Sequence, residues 1–188
     1  MRDPYKHNKI MTQGPFRKQI EDALAPLIGL PLWDSGRAAD LAWFALGERR
    51  TVKDFRGNPK EVGEYALHVQ CAWRITQDDK VLVGRSDLYY PAGYSPEQDE
   101  IPDDFNWDVQ GANRQDELIR DLFQGGGNQF RVLGVEVGPA ASFNIALERN
   151  LSLQVFPQDS SSHEYWRLFR PYRDEPHFVV SSRGIESE

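Results

Sequence analysis

Apolar residues recur at helical spacing near the start of the chain. Pro15 stands where a helix can begin, and Gly29 and Pro31 can end it. The recurring positions are Phe16, Ile20, Leu24, Leu27 and Ile28. A first helix is therefore predicted here, after a polar segment, residues 1–14, that is predicted to be flexible.

A second helix is predicted over Arg37–Leu46. The segment is rich in alanine and leucine, and Asp34 or Ser35 can cap its start. Gly47 can end it.

The clearest pattern in the chain is an alternation of period two over residues 65–75. One set of positions is apolar: Tyr65, Leu67, Val69, Cys71, Trp73 and Ile75. Such alternation predicts a long β-strand. The turn residues 77–80 and the apolar residues 81–83 then predict a hairpin.

Residues 87–112 form a long stretch with no regular pattern, and a third helix is predicted over Arg114–Gln124, ended by Gly125–Gly127. The last third of the chain predicts short strands: Phe130–Val137, Ser142–Glu148, Leu151–Phe156, Glu164–Phe169 and His177–Ser181. Their close spacing favours antiparallel pairing. The expected fold is α+β, mainly an antiparallel sheet with about three helices packed on one face or end, in a single domain over residues 15–188.

Composition narrows the function without fixing it. The formal net charge of −7 disfavours binding to a nucleic-acid backbone and is compatible with a basic protein partner, although it also simply favours solubility. Cys71 is the one cysteine, which excludes an internal disulfide, and no apolar run is long enough for a membrane span. The first residues lack the apolar core of a signal peptide, so a cytoplasmic location is expected.

The 87–112 segment is a candidate partner-binding surface. It mixes carboxylates with aromatic residues, and loops of this length are usually functional or disordered. The candidate contacts are Tyr90, Tyr94, Asp99, Glu100, Asp103, Asp104 and Trp107. Aromatic side chains would anchor a partner and carboxylates would steer it. The alternative is a surface loop whose aromatic residues pack back onto the core.

The polar face of the long strand is a second candidate, for a small ligand or an unfamiliar enzyme activity. His68, Gln70 and Arg74 share that face, and Arg167 or His177 from later strands could join them. The alternative is an outer face in contact with solvent, which is normal for antiparallel sheets.

No catalytic motif is found in the sequence. The four histidines and Cys71 do not have the spacing of a metal site, no nucleophile elbow is present, and Cys71 lies among apolar strand positions. No cofactor, metal or catalytic residue is therefore predicted. The leading hypothesis is a non-enzymatic protein-binding module, for example an immunity-type protein that neutralises a basic toxin; a homodimer is a further possibility.

Several phrases of the chain resemble a group of uncharacterised bacterial proteins. They are GLPLWDSGRAADLAWFALGER, EYALHVQCAWRI, DLYYP, EYWRLFRP and PHFVVSSRGIE. The resemblance spans about residues 29–186. It implies a bacterial, intracellular, single-domain protein and carries over no functional residue.

Overall fold

A computed structural model describes residues 15–54, 56–95, 97, 100–124, 127–160 and 163–187. Within them the chain forms two α-helices, α1 (Pro15–Leu24) and α2 (Arg114–Phe123), and thirteen strands. The strands are β1 (Pro31–Ala38), β2 (Leu41–Leu46), β3 (Arg50–Lys53), β4 (Pro59–Val62), β5 (Tyr65–Val69), β6 (Ala72–Gln77), β7 (Lys80–Gly84), β8 (Phe130–Val137), β9 (Phe143–Leu147), β10 (Leu151–Phe156), β11 (Glu164–Phe169), β12 (Phe178–Ser181) and β13 (Gly184–Ser187). The segment 1–14 lies outside the described residues.

Eleven of these strands form one sheet, in the order β13-β12-β11-β5-β2-β1-β8-β9-β10-β6-β7, while β3 and β4 form a separate hairpin. All the pairings described are antiparallel. The expected α+β fold with about three helices on a sheet is therefore wrong. The described chain is mostly antiparallel sheet and has two α-helices of ten residues each.

The error lies in the second predicted helix, because residues 31–46 form the β1–β2 hairpin instead. Ala39 makes the turn with a φ of 51°. Gly36 pairs with Trp43 across the hairpin, and a Cβ atom on Gly36 would lie 2.6 Å from the Trp43 ring. The alanines that favour a helix locally are thus overridden by pairing and packing with the rest of the sheet.

The predicted long strand is present but changes direction at Gln70 and Cys71. The backbone N–H groups of both residues donate to the Tyr165 carbonyl, at 2.8 and 3.2 Å. Before this point β5 pairs with β2 and β11; after it, β6 pairs with β10 and β7. Val69 and Ala72 are only three residues apart, so the five strands between β5 and β6 in the sheet order must curl round on themselves.

The inside of this curled sheet holds the hydrophobic core. Phe44, Trp73 and Trp166 are its largest fully buried side chains from the sheet. Helix α1 adds Ile20 and Leu24, and helix α2 adds Ile119 and Phe123. Since the core lies inside, the alternate residues of each strand face outward and are free to line surface sites.

The remaining elements agree with the sequence-based predictions to different degrees. Strands β8, β10 and β11 have the predicted bounds, and β6 and β7 form the predicted hairpin. Helix α2 begins after Asn113 as predicted, whereas Gly125 and Gly126 of its predicted stop lie outside the described residues. Strands β3, β4 and β13 were not predicted, because their short, charged sequences lack an apolar alternation.

Candidate functional site

The predicted partner-binding segment is a closed loop whose two ends are joined. We call residues 86–113 the acidic loop. The Arg114 N–H donates to the Tyr90 carbonyl at 2.8 Å, and the Ala92 N–H donates to the Ala112 carbonyl at 2.9 Å. These bonds connect the end of the 3₁₀ turn Arg85–Tyr89 to the start of α2.

A buried arginine fastens the second half of the acidic loop to the sheet. The Arg37 side chain, on β1, is 2% exposed and donates to both carboxylate oxygens of Asp116, at 2.9 and 3.0 Å. It also donates to the carbonyls of Asp108 and Val109, at 3.2 and 3.1 Å. One side chain therefore ties the loop, α2 and the sheet together, with the bidentate geometry in which arginine binds carboxylates best.

Asn113 supports the same junction from the loop side. It caps α2, its side-chain oxygen accepting the Asp116 N–H at 2.9 Å, and its side-chain nitrogen donates to the Trp107 carbonyl at 3.0 Å. Asn113 is fully buried, so both bonds are shielded from water. The backbone around Trp107 is held to the start of the helix.

The aromatic residues of the acidic loop pack against one another in two pairs. Tyr90 and Tyr94 are stacked with ring centroids 4.8 Å apart, and Trp107 meets Tyr89 edge to face at 5.9 Å. Tyr90, Tyr94 and Trp107 are half-buried, whereas Tyr89 is exposed. The loop thus offers aromatic edges at its surface from a packed base.

Three of the four carboxylates predicted to bind a partner face solvent. Glu100, Asp103 and Asp104 are exposed, and within the described part of the chain none of the three forms an ion pair. Asp99 lies outside the described residues.

The sequence of the acidic loop contains the whole net charge of the protein. It has seven acidic residues and no lysine, arginine or histidine. The rest of the chain has 22 acidic and 22 basic residues, which cancel. A charge this localised produces a directed field rather than a general negative surface.

On the strand face, His68 lies in a cluster of aromatic and charged side chains from β5, β11 and the start of β12. The His68 ring meets the Phe169 ring edge to face, with centroids 4.8 Å apart. The His177 ring stacks on the same Phe169 ring, with centroids 4.2 Å apart. Arg167, directly opposite His68 in the sheet, reaches His177 Nδ1 at 3.1 Å and pairs with Glu164.

Burial lowers the pKa of His68 to about 4, with the positive charge of Arg167 as the next cause. His68 is therefore a neutral imidazole at neutral pH, able to donate from one ring nitrogen and accept at the other.

The structure separates His68 from the other two residues of the predicted face. The Gln70 backbone lies at the change of strand direction. Arg74, on β6, donates to Gln154 on β10 at 2.6 Å and lies over the Phe156 ring. His68 lines a cavity to which neither Gln70 nor Arg74 contributes.

That cavity has a volume of about 400 Å³ and lies between the outer face of the sheet and the β3–β4 hairpin. Its aromatic walls are Trp33, Trp43 and Phe169. Sequence reasoning missed Trp33 and Trp43, because a helix was predicted over most of this segment. Trp43 lies beside His68 only because β2 pairs with β5, a pairing that no local pattern predicts.

Metal ligands and a reactive thiol are two further features of many enzyme sites. In the described residues no three His, Cys, Asp or Glu side chains are grouped to hold a metal ion. Burial raises the pKa of the Cys71 thiol to about 12, which removes it as a nucleophile. None of the helices described has the length and apolar character needed to cross a membrane.

Comparison of the chain with protein families, with curated proteins and with solved structures returned no match.

Proposed function

We propose that the chain is a non-enzymatic binding protein whose acidic loop docks onto a basic surface of another protein. The specific form of this proposal is an immunity-type protein that neutralises a basic toxin. The observation that carries the proposal is the placement of the whole net charge in one loop whose base is fixed by the buried Arg37–Asp116 pair.

Charge and apolar surface occur together on this loop. Between and beside the exposed carboxylates, the side chains of Tyr89, Ile101 and Val109 are 44%, 43% and 52% exposed. Protein interfaces combine apolar anchors that exclude water with charges that set orientation and speed of encounter. The acidic loop has both kinds of group within one segment.

The anchoring of the loop favours tight binding. A loop that is ordered before it binds loses less conformational entropy in the complex. The Arg37 bonds to Asp108 and Val109 and the Asn113 bond to Trp107 hold three consecutive residues of the loop backbone. A basic partner would therefore meet a surface that is already shaped.

The test begins with co-expression of the chain with proteins encoded by neighbouring genes, followed by capture and mass spectrometry. The association rate of any captured basic protein is then measured at about 50 mM and about 300 mM salt, where screening differs strongly. We expect association to slow by about tenfold or more as salt rises.

Two variants with the same change in charge locate the surface. The double substitution Asp103→Asn with Asp104→Asn removes two exposed carboxylates from the loop. The matched control, Asp79→Asn with Asp174→Asn, removes two exposed carboxylates elsewhere. Slower association in the loop variant alone supports the proposal. Equal effects of both variants, or association that does not depend on salt, would contradict it.

A further inference from the structure

A second site lies under the β3–β4 hairpin and shares only Arg37 with the anchor of the acidic loop. We propose that the cavity beside His68 binds a neutral, planar aromatic small molecule of one or two rings that carries both a hydrogen-bond acceptor and a donor. The volume of about 400 Å³ falls in the lower part of the range of small-molecule sites, roughly 300–1,000 Å³.

Small residues on the outer sheet face make the hollow. Ala45 and Ala66 are opposite each other on β2 and β5, and Phe169 is opposite Ala66 on β11. Trp43 and His68 form the neighbouring row of the same face. Two alanines between large rings leave space of the kind that a flat ring fills by stacking or edge contact.

The cover of the cavity is held in place at its base. At Gly63, after β4, a Cβ atom would lie 2.6 Å from the Tyr65 carbonyl oxygen and 2.7 Å from backbone atoms of Leu46. At β3, the Arg50 guanidinium lies 4.7 Å above the Tyr172 ring. Arg50 pairs with Val62, the residue before Gly63, so both contacts fix the base of the hairpin against the sheet.

Trp33 indicates the acceptor on the ligand. Trp33 lines the cavity and is 3% exposed, and its indole N–H is buried without a hydrogen-bond partner among the described residues. Buried N–H groups are almost always bonded. The Trp73 N–H is also without a partner, but Trp73 belongs to the core and does not line this cavity. The nitrogen has almost no solvent-accessible surface, so an oxygen or ring nitrogen of a ligand would bond to it once the ring or the hairpin shifts to uncover it.

Asp34 indicates the donor. One of its carboxylate oxygens accepts the Ser35 N–H at 2.9 Å, and burial raises its pKa. A carboxylate that is short of solvent gains from a further N–H donor. Asp34 follows Trp33 in β1, so an amide-like group with adjacent donor and acceptor suits the pair.

The charges around the cavity favour a neutral ligand. Arg37 is paired with Asp116, and Glu61 with Arg49 at 3.5 Å. The remaining charged lining residues, Asp34 and Lys60, have opposite signs. An anion or a cation would each meet one like charge and lose its own hydration, which an uncharged ring avoids.

Three probes of the same shape test the ligand class: 2-naphthamide, which is neutral, 2-naphthoate, an anion, and 2-naphthamidine, a cation. Binding is measured by saturation-transfer NMR and isothermal titration. We expect 2-naphthamide to bind with a Kd of about 1 mM or tighter, a range set by ligand size, and both charged probes to bind at least about tenfold more weakly.

Two variants locate the site. Ala66→Leu fills the hollow and should abolish binding of 2-naphthamide, while Trp33→Phe keeps a ring but removes the N–H and should weaken binding by about tenfold, the effect of leaving a ligand acceptor unpaired. The matched control is Ala146→Leu, on the outward-facing side of β9 away from the cavity. Circular dichroism and thermal melting establish that each variant is folded.

No binding of 2-naphthamide to the folded wild-type protein would overturn the proposal. So would equal binding of the three probes, or binding that survives Ala66→Leu. None of these outcomes bears on the acidic loop, because neither the loop variant nor its control changes a residue that lines the cavity.

Discussion

Arg37, near the end of the first strand, makes two hydrogen bonds to Asp116 in the first turn of α2, at 2.9 and 3.0 Å. The two side chains are 2% and 6% exposed. They are 79 residues apart in sequence, so their contact forms only when the hairpin, the acidic loop and the helix have all assembled. The pair couples the proposed partner-binding loop to the stability of the sheet.

Asp116→Asn should destabilise the protein strongly. The substitution leaves the buried Arg37 charge with only the Asp108 carboxylate, which is 3.5 Å away and 60% exposed. Loss of the buried partner of such a charge costs about 3–5 kcal/mol. Urea unfolding followed by circular dichroism measures the change. Hydrogen exchange should also rise at the backbone amides of the loop that the pair holds in place, Gly111 among them, since its N–H donates to Asp116 at 2.7 Å.

The control is Asp121→Asn on the exposed face of the same helix. Asp121 pairs with Arg120 at 3.3 Å, with both side chains more than 60% exposed. Exposed pairs contribute little, so unfolding should be nearly unchanged. Equal stabilities for the two variants would show that the Arg37 pair does not support the fold.

Sequence reasoning found the strands whose two faces differ, and it mistook β2 for a helix because both faces of β2 are largely buried. The alternation over residues 65–75 predicted β5 and β6, because one face packs on the core. In Leu41–Leu46 the burial is nearly continuous, and an apolar run with alanines is compatible with either a helix or a strand. The strand with which this segment pairs decides between helix and strand, and part of that pairing is with β5, which is remote in sequence.

In the candidate sites too, local sequence predicted the residue types but not the contacts between distant segments. The composition of the acidic loop was evident from its residues, but its anchor, Arg37, stood inside a predicted helix. The alternation along the strand predicts that His68 and Arg74 share one face, and that shared face is the only reason to place Arg74 in the candidate ligand site. The change of direction at Gln70 carries Arg74 to the part of the sheet around β10, which a local pattern cannot reveal.

His68 should make folding stability depend on pH. Burial and the nearby charges of Arg167, His177 and Lys60 lower its pKa to about 4, against the opposing effect of Glu164. The unfolded chain binds this proton near pH 6.5 and the folded chain does not until about pH 4. The stability that depends on neutral His68 is present above pH 6.5 and is lost as pH falls towards 4.

Urea unfolding of the wild type and of His68→Gln at a series of pH values between these limits measures this effect. The glutamine side chain is neutral throughout, so the advantage of the wild type should shrink as pH falls. Curves that stay parallel would show that His68 keeps an ordinary pKa. Subtracting the unfolding free energies of the two proteins removes the contributions of the titratable groups that they share.

Cys71 should not react with thiol reagents in the native protein. The residue is 1% exposed, and burial raises its pKa to about 12, so thiolate is scarce and inaccessible. Labelling with Ellman's reagent at neutral pH should proceed only as fast as the protein opens. In denaturant one thiol per chain should react at once. Rapid labelling without denaturant would show that the change of direction between β5 and β6 opens readily.

Gly63→Ala should loosen the hairpin that covers the cavity. The new Cβ atom would collide with backbone atoms of Tyr65 and Leu46, which cannot rotate away as a side chain can. Overpacking of this kind costs about 1–3 kcal/mol. Urea unfolding measures the loss, and Gly134→Ala is the control, because a Cβ atom there meets nothing within 4 Å. The control should retain wild-type stability or gain slightly, since alanine restricts the unfolded chain. If both variants unfold like the wild type, the base of the hairpin yields easily, and the cavity beneath it is shaped by the sheet face rather than by its cover.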